Sequence, residues 1–207
     1  MPLRVPPGRT GRRWLLHRLE VARAGADVLE EKRRVLLRRR RQLEREVEQA
    51  RADWERLART AAELGRRALV LSGARRLRLA AFYGGGRTDA RVRWRNLLGV
   101  VVPEDVELTF GDPVELAPFG ASLPLTLAAG AHRQALAAAA RYARAAEAHR
   151  RVDDELSNTS RRLRALEQRW IPRHEEALAR LELALDEAER EDAGRVRWLE
   201  ERRIDGR

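Results

Sequence analysis

Side chains able to do chemistry are few in this sequence, and their spacing groups none of them. The four histidines, His17, His132, His149 and His174, are scattered along the chain, and there is no cysteine. That absence excludes disulfides, thiolate nucleophiles and Cys-ligated metals. Gly84-Gly85-Gly86-Arg87 is glycine-rich but lacks the Lys-Ser/Thr of a phosphate-binding loop and the spacing of a dinucleotide fingerprint. No nucleophile, general base and orienting group can be assembled. The expectation is a chain that is not an enzyme by itself, with no catalytic residue, no metal and no cofactor.

What remains is the chemistry of charge. Lys and Arg number 43 against 32 Asp and Glu, a formal net charge of +11 with a pI near 11.3. Such a balance points to anionic partners. Lys32 is the only lysine, so the cationic chemistry is that of guanidinium groups, a skew that a GC-rich genome also produces. The densest run is Arg38, Arg39, Arg40 and Arg41, which reads either as contacts to an acidic partner or as a solvated helix face.

The elements that must position these charges are helical. Aromatics are 5% and charged residues 36% of the 207 residues, too few bulky groups for a thick core, and Arg, Glu, Ala and Leu outweigh the strand formers. Gly and Pro divide the chain into an irregular leader (1–11), a first long helix (12–72), a compact middle (73–130), a second long helix (131–203) and a tail (204–207). Alternating steps of four and three from Leu15 reach Leu71 through seventeen positions. Fifteen of these are apolar, where a 43% background gives about seven. Only Arg33 and Arg40 intrude. A sustained heptad seam implies a left-handed coiled coil, and sixty residues at about 1.5 Å each make a rod of about 90 Å.

The second helix carries a less regular seam, read as Leu136, Ala140, Ala143, Val152, Leu156, Thr159, Leu163, Leu166, Trp170, His174, Leu178, Leu181, Leu185 and Ala188. Spacing of four and four from Trp170 through His174 to Leu178 unwinds a coiled coil locally, and Pro172 within it predicts a bend. Trp54 and Trp170 read as seam residues and His174 as a polar seam residue. The fold class expected is therefore mainly α: a long antiparallel two-helix left-handed coiled coil with a small middle segment. Facing residues should have numbers summing to roughly 205 to 215, which sets Arg33 and Arg40 opposite Pro172–Glu176 and gives Arg40 a carboxylate in Glu175 or Glu176. In the middle, Val92, Trp94, Leu97, Leu98 and Val100–Val102, then Val106, Leu108 and Phe110 beyond Pro103-Glu104-Asp105, predict a short β-hairpin near 91–110. An isolated hairpin is marginal, so it should pack on the helices or on a partner.

The segment Asn158-Thr159-Ser160-Arg161-Arg162-Leu163-Arg164-Ala165-Leu166-Glu167, followed by Ile171-Pro172-Arg173, resembles the second long helix of the D subunit of the V/A-type rotary ATPases. Thr159, Arg161, Arg162, Ala165, Leu166 and Glu167 match that family's motif, and Arg164 stands where it usually has Asn. Pro7-Gly8-Arg9-Thr10, Ala24-Gly25, Leu29–Arg33, Asn96-Leu97-Leu98-Gly99-Val100, Val102-Pro103 and Asp186–Glu191 extend the likeness nearly end to end. The resemblance implies a central-stalk rotor shaft that transmits torque between a membrane ion-translocating ring and a catalytic hexamer. It serves ATP synthesis or ATP-driven proton or sodium pumping. The implied partners are the F subunit, the hexamer of catalytic A and noncatalytic B subunits, and the protein that connects the stalk to the membrane ring. On this reading Arg38–Arg41 would face the hexamer, and Asn96, Gly99, Val100 and Pro103 would contact middle-segment partners. The chain would be peripheral on the cytoplasmic side of the plasma membrane, held there by the complex.

Two other readings compete. An Arg-rich coiled coil could bind nucleic acid, but its cations alternate with Asp and Glu and no aromatics are interleaved for stacking, so no nucleic acid is expected. A membrane-surface helix would need a broader apolar face than a heptad stripe.

Overall fold

A computed structural model describes residues 4–83, 87–111 and 122–205, with the side chains of Tyr83 and 200–205 not described. The order is α1 (Gly8–Ser72), α2 (Ala74–Tyr83), β1 (Thr88–Leu97), β2 (Val100–Phe110), α3 (Leu123–Ala165), a single π turn (Leu166–Trp170) and α4 (Ile171–Asp205). The protein is mainly α with a small antiparallel hairpin, as the composition and patterning indicate. The chain forms two compact units, one of residues 1–34 with 157–207 and one of 35–156.

In the first unit, the start of α1 and the end of the chain pair antiparallel. Leu15, Leu19, Ala22 and Ala26 are buried from α1, and Thr159, Leu163 and His174 from the other side. Ion pairs cross the flanks: Arg9–Glu189 at 2.8 Å, Arg12–Glu182 at 2.7 Å and Arg23–Glu175 at 2.6 Å.

In the second unit, α1 and α3 are again antiparallel. Trp54 stacks on Tyr142 with centroids 5.5 Å apart, the Ser72 and Ser122 hydroxyls lie 2.8 Å apart, and Leu36, Leu43, Ala148, Val152 and Leu156 share a buried cluster. Gly73, at φ 78, separates α1 from α2; that left-handed conformation ends a helix cheaply only without a Cβ.

Several expectations shift. The leader is shorter than the glycines and prolines suggest, since α1 begins at Gly8. The second helix begins at Leu123, not 131, because a proline in the first turn, here Pro124, forfeits an N–H that has no intrahelical acceptor anyway. The register differs as well. Partner numbers sum near 194 to 198, as in Arg12–Glu182 and Arg9–Glu189, below the expected 205 to 215. Leu136 is 48% exposed, while Ala135, Ala138, Ala145 and Ala148 are buried, so the seam of early α3 runs on a different phase from Leu136, Ala140 and Ala143. Ala occupies nearly every face of this stretch, which leaves apolar periodicity without a phase.

The hairpin turns at Leu98-Gly99, φ 52 and 86, the signature of a two-residue primed turn. It does not turn at Pro103-Glu104-Asp105. Pairing runs Arg93 to Asp105 and Trp94 to Pro103, leaving Glu104 as a bulge residue beside a proline that cannot donate to a ladder. The hairpin packs on helices of its own unit: Val102 joins the Leu36–Leu43–Val152 cluster, with Leu97 and Val100 against it.

Candidate functional site

The motif segment straddles the end of α3, the π turn and the start of α4. Thr159 and Leu163 are 2% and 5% exposed on the seam, whereas Arg161, Arg162, Arg164, Ala165, Glu167 and Arg173 are exposed. Leu166, Ile171 and Pro172 are half-buried. Two motif arginines act on their own helix: Arg161 donates to the Asn158 amide oxygen at 2.7 Å and Arg164 to the Ser160 carbonyl at 3.3 Å. Arg164, at the position of the departure, is thus an exposed side chain turned back on its own helix.

The π turn answers the irregular spacing between Trp170 and Leu178. Ile171 donates its N–H to the Leu166 carbonyl, an i to i+5 bond that absorbs one residue in excess of the heptad. Pro172, next in line, has no N–H to give. His174, 4% exposed, stacks on Trp170 with centroids 3.5 Å apart, and its Nδ1 lies 2.8 Å from the Trp170 carbonyl, to which a protonated Nδ1 donates. Arg18 lies across this layer, 4.8 Å from the Trp14 ring centroid and 5.6 Å from that of Trp170. The sequence signal for this layer is the four-and-four spacing. It predicts unwinding with a proline bend, and the molecule answers it with an inserted turn.

The two seam arginines find other partners than the register arithmetic gives them. Arg33 forks onto Glu30 of its own helix at 2.7 and 2.9 Å, which holds the Glu30 carboxyl below its ordinary value, and the Glu167 charge adds to the field at Arg33. Arg40 pairs with Asp153 at 3.0 Å, and Glu175 pairs with Arg23.

The run from Arg38 to Arg41 is not one patch, because successive residues point about 100° apart around a helix. Arg39 is half-buried and donates to Gln42 and Glu46 at 3.2 and 3.3 Å; Arg40 is half-buried beside Asp153; Arg38 and Arg41 are exposed. Glu46 also receives Arg144 of α3 at 3.2 Å, tying the two helices.

The hairpin residues divide likewise. Asn96 and Gly99 are exposed and bonded to each other, the Gly99 N–H donating to the Asn96 side chain at 2.8 Å, while Pro103 is buried and Val100 half-buried. Arg151, which lies outside the family motif and both seams, fastens this hairpin to α3. It donates to the Val101 carbonyl at 3.1 Å, lies 4.9 Å from the exposed Trp94 ring and is itself anchored by Glu147 at 2.7 Å. Hydrogen bonds from Arg150 and then Arg151 lower the Glu147 carboxyl to about 2. The Glu147–Arg150–Arg151 spacing, i to i+3 and i+4, is the available signal.

Among the described residues no group of His, Asp and Glu could hold a metal ion, and no helix is long and apolar enough to cross a membrane. What these residues build is a helical scaffold braced by ion pairs, with charged flanks and an outward-facing hairpin turn.

The sequence matches the family described as the ATP synthase D subunit over residues 14–201. The D subunit of a V-type ATP synthase from Anaeromyxobacter sp. (strain Fw109-5) is 33% identical over 204 residues, covering 97% of this chain and 94% of the relative. The A-type ATP synthase D subunits of Pyrococcus furiosus and Methanopyrus kandleri are 32% and 30% identical, each covering 95% of this chain, and 94% and 86% of their own lengths. With its paired terminal helices, its middle hairpin and this near end-to-end likeness, the chain belongs to the family of V/A-type ATP synthase D subunits.

Proposed function

We propose that this chain is the rotor shaft in the central stalk of a V/A-type ATP synthase or ATPase. In this role it carries torque between the ion-translocating ring and the A/B hexamer and is non-catalytic itself. The observation that carries the reading is the family match over residues 14–201, on a chain whose terminal helices are pinned antiparallel by a buried seam and by ion pairs on its flanks. A shaft must resist unwinding, and seam residues such as Leu15, Leu19, Thr159 and Leu163 supply continuous packing for that. It must also turn without sticking in one orientation. Exposed ion pairs contribute at most about 1 kcal/mol each, so a charged exterior can exchange partners as it moves.

The partners on this reading are the F subunit, the catalytic A and noncatalytic B subunits, and the protein that connects the stalk to the ring. Arg38 and Arg41, the outward members of their run, are the proposed contacts to acidic loops of the hexamer, with Arg39 and Arg40 bracing the helix behind them. Asn96 and Gly99 are the proposed exposed contacts of the hairpin, with Val100 and Pro103 fixing its placement. Thr159 to Arg173 forms the shaft segment. The complex would hold the chain on the cytoplasmic side of the plasma membrane and couple it to protons or sodium. Co-expression with the A, B and F subunits tests this: a stoichiometric complex with ATPase activity is expected, and failure of the chain to enter any such complex sinks the reading.

A further inference from the structure

The π turn combines three features found together nowhere else among the described residues. None of its residues, Leu166–Trp170, is buried. Pro172 withholds a backbone donor from the turn behind it. A side-chain clamp, His174 stacked on Trp170 and within 2.8 Å of its carbonyl, closes the turn from the side. On either side the helix is fixed, with Leu163 and His174 at 5% and 4% exposure. Local opening is cheapest where few buried contacts and few backbone bonds must break, and here a weak turn lies between two packed anchors.

We propose that Leu166–Trp170 is a compliance joint, a turn that opens and re-forms while the seam on both sides stays packed, so that α4 can twist about its axis relative to the end of α3. Its use, absorbing twist under torque, rests on the shaft reading; its existence does not. The clamp sets the stiffness: the Trp170–His174 stack closes the widened turn, and Arg18 over the Trp170 ring ties it to α1.

Hydrogen exchange on the full-length chain tests the joint directly. Amides of residues 167–171 and 173 are expected to exchange at least about 100-fold faster than those of Thr159–Leu163 on the same helix. Deletion of Gln168 combined with Pro172→Ala removes the residue in excess and restores the donor, and should abolish that difference. His174→Ala, which keeps the turn but removes the clamp, should accelerate the amides of 167–171 and 173 by a further factor of about 10 and leave the flank unchanged. Equal protection of these amides and the flank in the unaltered chain overturns the joint, whatever the variants do. In the assembled complex, the repaired chain should narrow the angular fluctuation of a probe fixed to the shaft; an unchanged distribution overturns its mechanical role. A chain that exchanges as expected yet never enters the complex refutes the shaft reading and leaves the joint standing.

Discussion

Ala138→Leu and Leu136→Ala form a pair of substitutions whose outcomes reverse according to which face of early α3 meets α1. Ala138 is 1% exposed and lines the same groove as Ala50 of α1, whereas Leu136 is 48% exposed. Putting a leucine at position 138 adds three carbons where the helices approach on small residues, and overpacking of that kind costs about 1–3 kcal/mol. For a chain of this size each kcal/mol lowers the melting temperature by about 2–4 °C, so a fall of about 2–12 °C is expected. Truncating Leu136 removes three carbons that already sit half in water. At about 0.8 kcal/mol per fully buried group the loss is about 1 kcal/mol, partly offset by the better helix propensity of alanine. Were Leu136 in the seam, as the heptad count places it, its truncation would cost about 2–5 kcal/mol. Urea unfolding of both variants, followed by circular dichroism, decides the matter. A Leu136→Ala cost above about 2 kcal/mol beside a neutral Ala138→Leu would refute the packing described.

Three further outcomes are expected. Glu147 titrates at about 2 when folded, against an ordinary 4.5, so its contribution to stability is complete above pH 4.5 and is lost as pH falls from there toward 2. Glu147→Gln should flatten the pH dependence of stability in that window, and an unaltered acid limb would exclude the Arg150–Arg151 clamp as its source. Leu98 holds φ 52 at the hairpin turn, so Leu98→Asn, creating an Asn-Gly turn, should stabilise by about 0.5–1 kcal/mol in thermal unfolding; a loss of stability would mean that the half-exposed leucine packs usefully. A double-mutant cycle on Arg23 and Glu175, 2.6 Å apart with side chains 61% and 45% exposed, should return about 0.2–1 kcal/mol. A coupling above about 2 kcal/mol would show that such pairs hold the helices together and do more than align them.

Much of the architecture is legible because its cause is local. The α1 seam from Leu15 to Ala68 carries mostly apolar residues stepping by four and three, and the fully buried residues of that helix, among them Leu15, Leu36, Leu43 and Ala68, lie on it. The hairpin is legible from its β-branched residues, but its turn is not where the proline suggests: the bulge beside Pro103 depends on cross-strand pairing that no short window contains. The motif residues are found by resemblance. What each one touches is not legible, since Arg40 could reach Asp153 or Glu175 according to a register that local pattern leaves open.

The amino-acid sequence by itself determined the helical class, the seam of α1 and the family, because propensity, periodicity and motif order are properties of neighbours along the chain. The tertiary structure alone decided the phase of the alanine-rich start of α3, the register near 194 to 198, the partners of Arg33 and Arg40, and the conversion of one surplus residue into a π turn. Each of these is a choice among locally equivalent alternatives. Alanine is apolar on every face, an exposed arginine can reach several carboxylates, and an extra residue can be absorbed as a bend, an unwinding or a wide turn. Only packing against the second helix makes one alternative lower in free energy than the rest.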